Sequence, residues 1–315
     1  MTLTELKYVV AVARHKHFGH AAESCFVAQP TLSVAIKKLE DELGVVLFER
    51  GGSEISMTPL GEKIVAQAER VLEQTAALKE IAKQNKDPLA GTFRLGVIYT
   101  IAPYLLPPLV RLMIERVPQM PLVLQENFTV RLVEMLRQGE LDAAIMALPF
   151  PDHGLMTQPL YDEPFVVALP KQHRWAGRDS IGALELKSEN MLLLGNGHCF
   201  RDQVLEVCPE MSRFSTTGDG IARTFEGSSL ETIRHMVASG IGVTVLPRAS
   251  VQDMDAVEGT VRHVPFADPP PSRRVVIAWR KSFTRGAAIA AVRDAVLASG
   301  LNGVEMLPDE DVTAG

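Results

Sequence analysis

His17-Phe18-Gly19-His20-Ala21-Ala22-Glu23-Ser24-Cys25-Phe26-Val27-Ala28-Gln29-Pro30-Thr31-Leu32-Ser33-Val34-Ala35-Ile36-Lys37-Lys38-Leu39-Glu40-Asp41-Glu42-Leu43-Gly44 carries two helix patterns joined by a tight turn. Pro30 suits the first position of a helix, where its missing N–H costs nothing. From Pro30 to Leu43, the residues Leu32, Ile36, Leu39 and Leu43 recur at helical spacing and predict one buried stripe, and Gly44 ends the helix as a C-terminal cap. Thr31, Ser33, Val34, Lys37 and Lys38 fall on the other face. A shorter helix, His20 to Cys25, precedes the turn Phe26-Val27-Ala28-Gln29, and its Ala21-Ala22 pair lets two helices approach closely.

Upstream, Leu3, Leu6, Val9, Val10 and Ala13 predict a further helix, with Phe18 as the core aromatic of the turn. Downstream, Val45 to Arg50 and Glu54 to Thr58 read as two short strands around the turn Gly51-Gly52-Ser53, the wing of a winged helix-turn-helix. Together with Thr58-Pro59-Leu60-Gly61, these motifs resemble the DNA-binding domain of LysR-type transcriptional regulators almost throughout residues 1–58. The resemblance implies that Gln29, Pro30, Thr31, Ser33 and Lys37 form the DNA-facing surface, with Arg50 and Thr58 on the backbone. Hydroxyls, an amide and a lysine are the right donors for phosphates and base edges. A solvated helix face is the plain alternative, and for Lys38 taken alone it is the better one. Ala28 departs from the capping Ser often found before such a helix.

Thr58 can cap the next helix, and Pro59 again stands at a first position. Ile64, Ala68, Val71, Thr75, Leu78 and Ala82 then alternate spacings of four and three, the seam of a coiled coil, so the linker helix at 59–87 is expected to dimerise. Packing on its own domain would leave most of so narrow a helix unburied. Two recognition helices on a dimer read a pseudo-palindromic site in double-stranded promoter DNA. Residues 88–91 form a hinge.

From Thr92 strands alternate with helices: Phe93–Ile98, Pro103–Arg116, Leu122–Glu126, Val130–Gln138 and Leu141–Met146. A second set contains Phe165–Leu169, Met191–Leu194, Leu230–Ala238 and Val243–Leu246, while Val275–Trp279 and the helix Arg285–Ala298 return to the first sheet. The class is α/β, with parallel sheets. Two lobes joined by crossing strands resemble the periplasmic-binding-protein-like effector domain of LysR-type regulators, of which Gly240-Ile241-Gly242-Val243 with Leu246-Pro247 is typical. That implies a regulatory domain over 92–307, lobe I about 92–162 and 268–300, lobe II about 163–267, and a disordered tail at 308–315.

The 315 residues carry a net charge of -6, so DNA binding must rest on local arrangement, since even residues 1–58 are not basic. No apolar run approaches a membrane span and Met1 to Leu6 show no secretion signal, so a cytoplasmic protein is expected, with no membrane partner. Three cysteines make no structural disulfide framework, and in a reducing compartment a disulfide would be transient, catalytic or sensing. The histidines lack metal-ligand spacing, and no motif for hydrolysis or phosphate binding stands out, so no metal, cofactor or enzymatic role is expected.

Gly197-His198-Cys199-Phe200-Arg201-Asp202-Gln203-Val204-Leu205-Glu206-Val207-Cys208 holds two of those cysteines. On one continuous helix their Cα atoms would lie about 13 Å apart, whereas a disulfide tolerates roughly 7 Å. The two thiols are therefore unrelated, or they pair after local refolding. Ligand sites in open α/β sheets lie beyond the carboxyl ends of strands, and Tyr99-Thr100, Asn127-Phe128-Thr129 and Asn196-Gly197-His198-Cys199 are three such ends. A neighbouring cation or helix N-terminus favours the reactive thiolate, and Cys199 has both in His198, Arg201 and a helix start. His198 bonding to backbone is a nearly equal alternative. Cys25, among Ala22 and Phe26, reads as a core residue.

Gly197-His198-Cys199, Arg201-Asp202-Gln203 and Cys208 are similar to the hydrogen-peroxide-sensing members of the LysR type. The resemblance implies that Cys199 is the peroxidatic thiol, oxidised to a sulfenic acid, and Cys208 the resolving one. Thr100 and Thr129 would hold the peroxide, a cellular dithiol would reset the switch, and a homodimer assembling to a homotetramer would act with RNA polymerase. Without the family, Thr100 and Thr129 are ordinary hydroxyls at helix starts. Two other readings stay open: a LysR-type regulator for a small metabolite, with incidental cysteines, and a thiol peroxidase, against which the winged helix and coiled-coil seam count.

Overall fold

The computed structural model describes residues 1–49, 55–83, 88–152, 154–207, 224–227, 229–251, 259–308 and 312–314. The chain divides into one unit of residues 1–85 with 137–139, called the N-terminal unit below, and a C-terminal unit of residues 86–136 and 140–315.

In the N-terminal unit, α1 (Leu3–His15) opens on a capping box, with the Glu5 N–H donating to Thr2 Oγ1 and the Thr2 N–H to Glu5 Oε2. The next helix, α2 (Phe18–Ser24), starts two residues before the expected His20. His17 is the reason, because its Nδ1 accepts the N–H groups of Gly19 (3.1 Å) and His20 (3.3 Å). Helix α3 (Gln29–Leu43) follows Ala28, which offers no side-chain cap, and ends at Gly44 with φ 68°, the left-handed conformation that glycine adopts without strain. Leu32, Ile36 and Leu39 are fully buried, but Leu43, expected on the same stripe, lies past the edge of the core and is 38% exposed.

Glu40 is buried instead, and its Oε1 accepts the N–H groups of Leu47 (2.8 Å) and Phe48 (3.3 Å) where the chain turns into the wing. Glu40→Ala leaves two buried donors unmatched and is expected to cost about 1–3 kcal/mol. Urea denaturation reads that loss directly, and an unchanged midpoint would contradict it. The wing strands β1 (Phe48–Glu49) and β2 (Ser56–Met57) pair antiparallel; Arg50, the expected turn Gly51-Gly52-Ser53 and Glu54 lie outside the described residues.

Helix α4 (Pro59–Lys83) is capped by Thr58, whose hydroxyl accepts the Gly61 N–H (2.9 Å) and donates to Val46 O (2.8 Å). The expected dimer seam is split. Ala68 and its neighbour Val65 are buried in this unit's own core, with Ile64 and Val71 packed against it, because α4 runs over α1 with Arg14 paired to Glu69 at 3.3 Å. Farther along, Leu78 stays 67% exposed.

The C-terminal unit is mixed rather than parallel. Strand β3 (Phe93–Ile98) lies between β4 (Leu122–Asn127) and β5 (Ala143–Ala147), both parallel to it, with α5 (Ala102–Arg116) and α6 (Thr129–Gln138) as crossovers. Beside β5 runs β11 (Ser272–Arg280), antiparallel, and beside that β6 (Leu155–Pro170). At 16 residues β6 is the longest strand among the described residues, passing from the sheet of the first lobe into the second, where β9 (Thr244–Pro247) and β10 (Val261–Pro265) pair with it antiparallel. The parallel pair β7 (Met191–Leu194) and β8 (Thr224–Gly227) completes the second lobe. Each lobe has its own core, one around Phe93, Ile145 and Ile277, the other around Phe165, Leu192 and Val245.

Two expectations change here. The strand expected to begin at Phe165 begins at Leu155 and carries Asp162-Glu163-Pro164 inside β6, where β11 sets Arg274 opposite Asp162 and Arg273 opposite Glu163 and neutralises both. The tail at 308–315 is not wholly unstructured either. Thr313–Ala314 forms a short strand along Met156–Thr157 of β6, with the Thr157 and Thr313 hydroxyls 2.8 Å apart, and so covers part of that strand's edge.

Candidate functional site

Three strand ends meet at one small cavity in the C-terminal unit. Strand β3 delivers Thr100, β4 delivers Phe128 and, at the first position of α6, Thr129, and the loop after β7 delivers His198 and Cys199. Gly197 turns that loop at φ 96°, and a Cβ there would sit 3.4 Å from the Phe128 ring. The cavity is tight, about 10 Å³, the room of roughly one water-sized group. Cys199 is the first residue of α7 (Cys199–Val207), where unpaired backbone N–H groups and the helix dipole favour an anion. It is half-buried and unpaired.

The hydroxyls differ in what they can do. Thr129 is 7% exposed, and its Oγ1 has no hydrogen-bond partner among the described residues. A buried hydroxyl left so is costly unless something polar occupies the cavity. Thr100 Oγ1 accepts from Arg273 Nη1 at 2.8 Å, which leaves its own proton to donate. Arg201 does not line this cavity; its Nη1 donates to Leu194 O at 2.8 Å and helps fasten α7. Cys208 lies outside the described residues. Cys25 packs at the edge of the N-terminal core, 4.0 Å from Ser24 Oγ.

Arg273, which sequence reasoning missed, organises the site. Its Nε donates to Glu163 Oε2 at 2.8 Å, its Nη2 to Thr100 O at 3.2 Å, and both it and Glu163 are 1% exposed at the side chain. Burial works against its charge, but Glu163, Tyr161 and the Cys199 thiolate together raise its pKa above the ordinary arginine value. The guanidinium also lies over Phe200, 5.1 Å from the ring centroid. The signal in the sequence was the acidic pair Asp162-Glu163 and the basic pair Arg273-Arg274, about which spacing alone says nothing until the register is known.

Helix α7 is fastened to both lobes. Cys199 packs against the core of the first, whereas Phe200 is buried in the second, edge-on to Phe165 at 5.0 Å. Gln203 Nε2 donates to Leu148 O at 2.9 Å. Outside the cavity a wider cleft of about 260 Å³ opens between the lobes, strapped at one side by Tyr104 OH donating to Glu231 Oε1 at 2.8 Å.

In the N-terminal unit, Gln29, Pro30, Thr31 and Lys37 are exposed on α3 and Ser33 is half-buried beside them, while Leu32, Ile36 and Leu39 face inward. One helix therefore presents a polar face and buries an apolar one. Lys38 pairs with Glu5 at 3.4 Å. Thr58 is half-buried, its hydroxyl committed to the cap of α4.

A winged helix-turn-helix ahead of a two-lobed α/β unit with a polar interlobe site defines a class. Residues 3–62 match the family described as "Bacterial regulatory helix-turn-helix protein, lysR family", and residues 86–300 match "LysR substrate binding domain". The chain belongs to the LysR family of transcriptional regulators.

Within that family it groups with the OxyR proteins. It is 39% identical over 280 residues to the "DNA-binding transcriptional dual regulator OxyR" of Escherichia coli, covering 89% of this chain and 90% of that one. Full-length OxyR of Pseudomonas aeruginosa, solved with a cysteine-to-aspartate substitution, is 52% identical with a TM-score of 0.67, covering 94% of this chain and 98% of that one. A cysteine-to-serine mutant of Corynebacterium glutamicum OxyR, solved with hydrogen peroxide bound, is 32% identical with a TM-score of 0.63, covering 95% and 92%. Among the described residues no helix is long and apolar enough to cross a membrane.

Proposed function

We propose that this chain is a peroxide-responsive transcriptional activator in which Cys199 senses and Cys208 resolves. The observation that carries the reading is the cavity that gathers Cys199 at a helix N-terminus with the hydroxyls of Thr100 and Thr129, the latter unpartnered. The hydrogen-peroxide-bound Corynebacterium relative supports the choice of ligand. Peroxide accepts and donates hydrogen bonds at the two threonines. The Cys199 thiolate attacks one oxygen, the S–O bond forms as the O–O bond breaks, and the departing hydroxide takes a proton to become water. Arg273, through Thr100, and His198, at the cavity wall, supply positive or hydrogen-bonding character there. Arg201 acts by fastening the helix.

The sulfenic acid then condenses with Cys208, releasing water and forming a disulfide. A chain that stays helical from Cys199 to Val207 holds its ends roughly 12 Å apart, so pairing requires α7 to unwind. Unwinding pulls Phe200 from its pocket at a cost of about 1.5–3 kcal/mol and severs the hold on Leu148 and Leu194. The covalent bond supplies the bias that shifts the equilibrium. A cellular dithiol reverses it by exchange. In this reading the protein is cytoplasmic, binds promoter DNA as a homodimer assembling to a homotetramer through Gln29, Pro30, Thr31, Ser33, Lys37, Arg50 and Thr58, and acts with RNA polymerase rather than as an enzyme. The domain limits are 1–58, 59–87, 88–91 and 92–307.

A promoter-binding footprint on reduced and peroxide-treated protein, with mass spectrometry of Cys199 and Cys208, tests this. The expected result is a Cys199–Cys208 disulfide and an altered footprint; neither appearing would sink the proposal.

A further inference from the structure

The small cavity holding Cys199 and the wide interlobe cleft share four lining residues, Tyr99, Thr100, Phe128 and His198, while Cys199 and Thr129 line the small cavity and not the cleft. The cleft, at about 260 Å³, has room for a small organic molecule; the cavity behind it, at about 10 Å³, has room for little more than a water-sized group. What separates them is three rings that touch in a closed triangle. Tyr99 and Phe128 meet at 5.2 Å between centroids, Phe128 and His198 at 4.8 Å, and Tyr99 and His198 at 5.9 Å, all steeply tilted. Edge-to-face contacts of this kind hold rings in place beyond what burial alone does.

The three rings are held from behind. Gly197 brings the loop so close to Phe128 that a Cβ would already contact the ring, and His198 is 8% exposed. Tyr99 and Phe128 are 40% and 36% exposed, their outer sides facing the cleft and solvent. Nothing in peroxide chemistry at a thiolate needs an aromatic wall, since the attack on ROOH needs hydrogen bonds to its two oxygens. The wall bears on what R can be.

The geometry points to Tyr99, Phe128 and His198 as a size filter that admits hydrogen peroxide to Cys199 and holds back bulky organic hydroperoxides in the cleft. This rests on Cys199 being the peroxidatic thiol. For any hydroperoxide the step is the same: the thiolate sulfur gains an oxygen and is oxidised by two electrons, the O–O bond breaks, and RO⁻ takes a proton to leave as ROH. Selectivity then comes from access alone. Apolar pockets discriminate by size about 10–200-fold, and a filter of this type falls in that range.

The test uses the full-length reduced protein and measures the rate constant of Cys199 sulfenic acid formation with hydrogen peroxide and with cumene hydroperoxide. In Phe128→Ala the cumene rate relative to the hydrogen peroxide rate is expected to rise at least about tenfold. Phe128→Tyr, which keeps a ring, should retain the parent ratio. Tyr99→Ala opens the same wall from the other side and should shift the ratio in the same direction, so the inference does not depend on one variant folding. An unchanged ratio in both alanine variants overturns the filter while leaving the peroxidatic reading intact. If hydrogen peroxide does not oxidise Cys199 in the parent chain, the peroxidatic reading fails and the filter with it.

Discussion

Full-length protein carrying Cys199→Ser will give one and the same promoter footprint before and after peroxide, whereas Cys25→Ser will respond as the parent chain does. The expected effect on signalling is complete, because a serine hydroxyl is not a nucleophile toward an O–O bond at neutral pH and the cavity offers no substitute sulfur among the described residues. Serine is close to cysteine in size, so the core packing against the first lobe is kept, and thermal unfolding should barely move. This variant also separates the three readings. A metabolite regulator with incidental cysteines would keep its inducer response in Cys199→Ser. A thiol peroxidase would show steady peroxide turnover with a dithiol in the parent chain, lost in the variant, without any change in footprint.

Arg273→Ala is expected to be the most destabilising single change in the site. Arg273 and Glu163 are each 1% exposed, and Glu163 Oε1 also accepts the Ala249 N–H at 2.8 Å. Deleting the arginine leaves a buried carboxylate with one backbone donor for company. Breaking a buried pair from one side typically costs about 3–5 kcal/mol. Urea unfolding of the full chain should show that loss, and a change below about 1 kcal/mol would mean the pair is bypassed by water. Cys199 oxidation should slow as well, on the order of tenfold, the worth of about 1.4 kcal/mol of electrostatic stabilisation. Arg273→Lys keeps the charge but cannot serve Glu163 and Thr100 at once, since a guanidinium fork reaches both and an ammonium is a point. It should recover part of the oxidation rate and less of the stability.

Several elements were legible from residues alone because their signals are local. Pro30, the stripe Leu32, Ile36 and Leu39, and the Gly44 cap are all encoded within one helix. The same holds for β3, β4, β5 and β7, short apolar runs whose ends carry Thr100, Phe128, Thr129 and Cys199. The failures were non-local. Leu43 has the right spacing for burial but no neighbour to bury it, and Glu40, polar by type, is buried because two N–H groups of a later segment need it. The strand read from Phe165 runs on from Leu155, with Asp162 and Glu163 inside it opposite Arg274 and Arg273 of β11.

The winged helix-turn-helix, the alternation of strands and helices behind it, and the candidacy of Cys199 are all readable from the residues, since periodicity, caps and residue chemistry act over a few positions. Only the folded chain shows that Thr129 Oγ1 has no partner among the described residues, that Arg273 reaches Thr100 from 173 residues away with its charge secured by Glu163, and that Tyr99, Phe128 and His198 meet in an aromatic triangle at the cavity. Strand register and lobe crossing fix those meetings, and a contact between distant segments has no local energy by which the sequence could announce it.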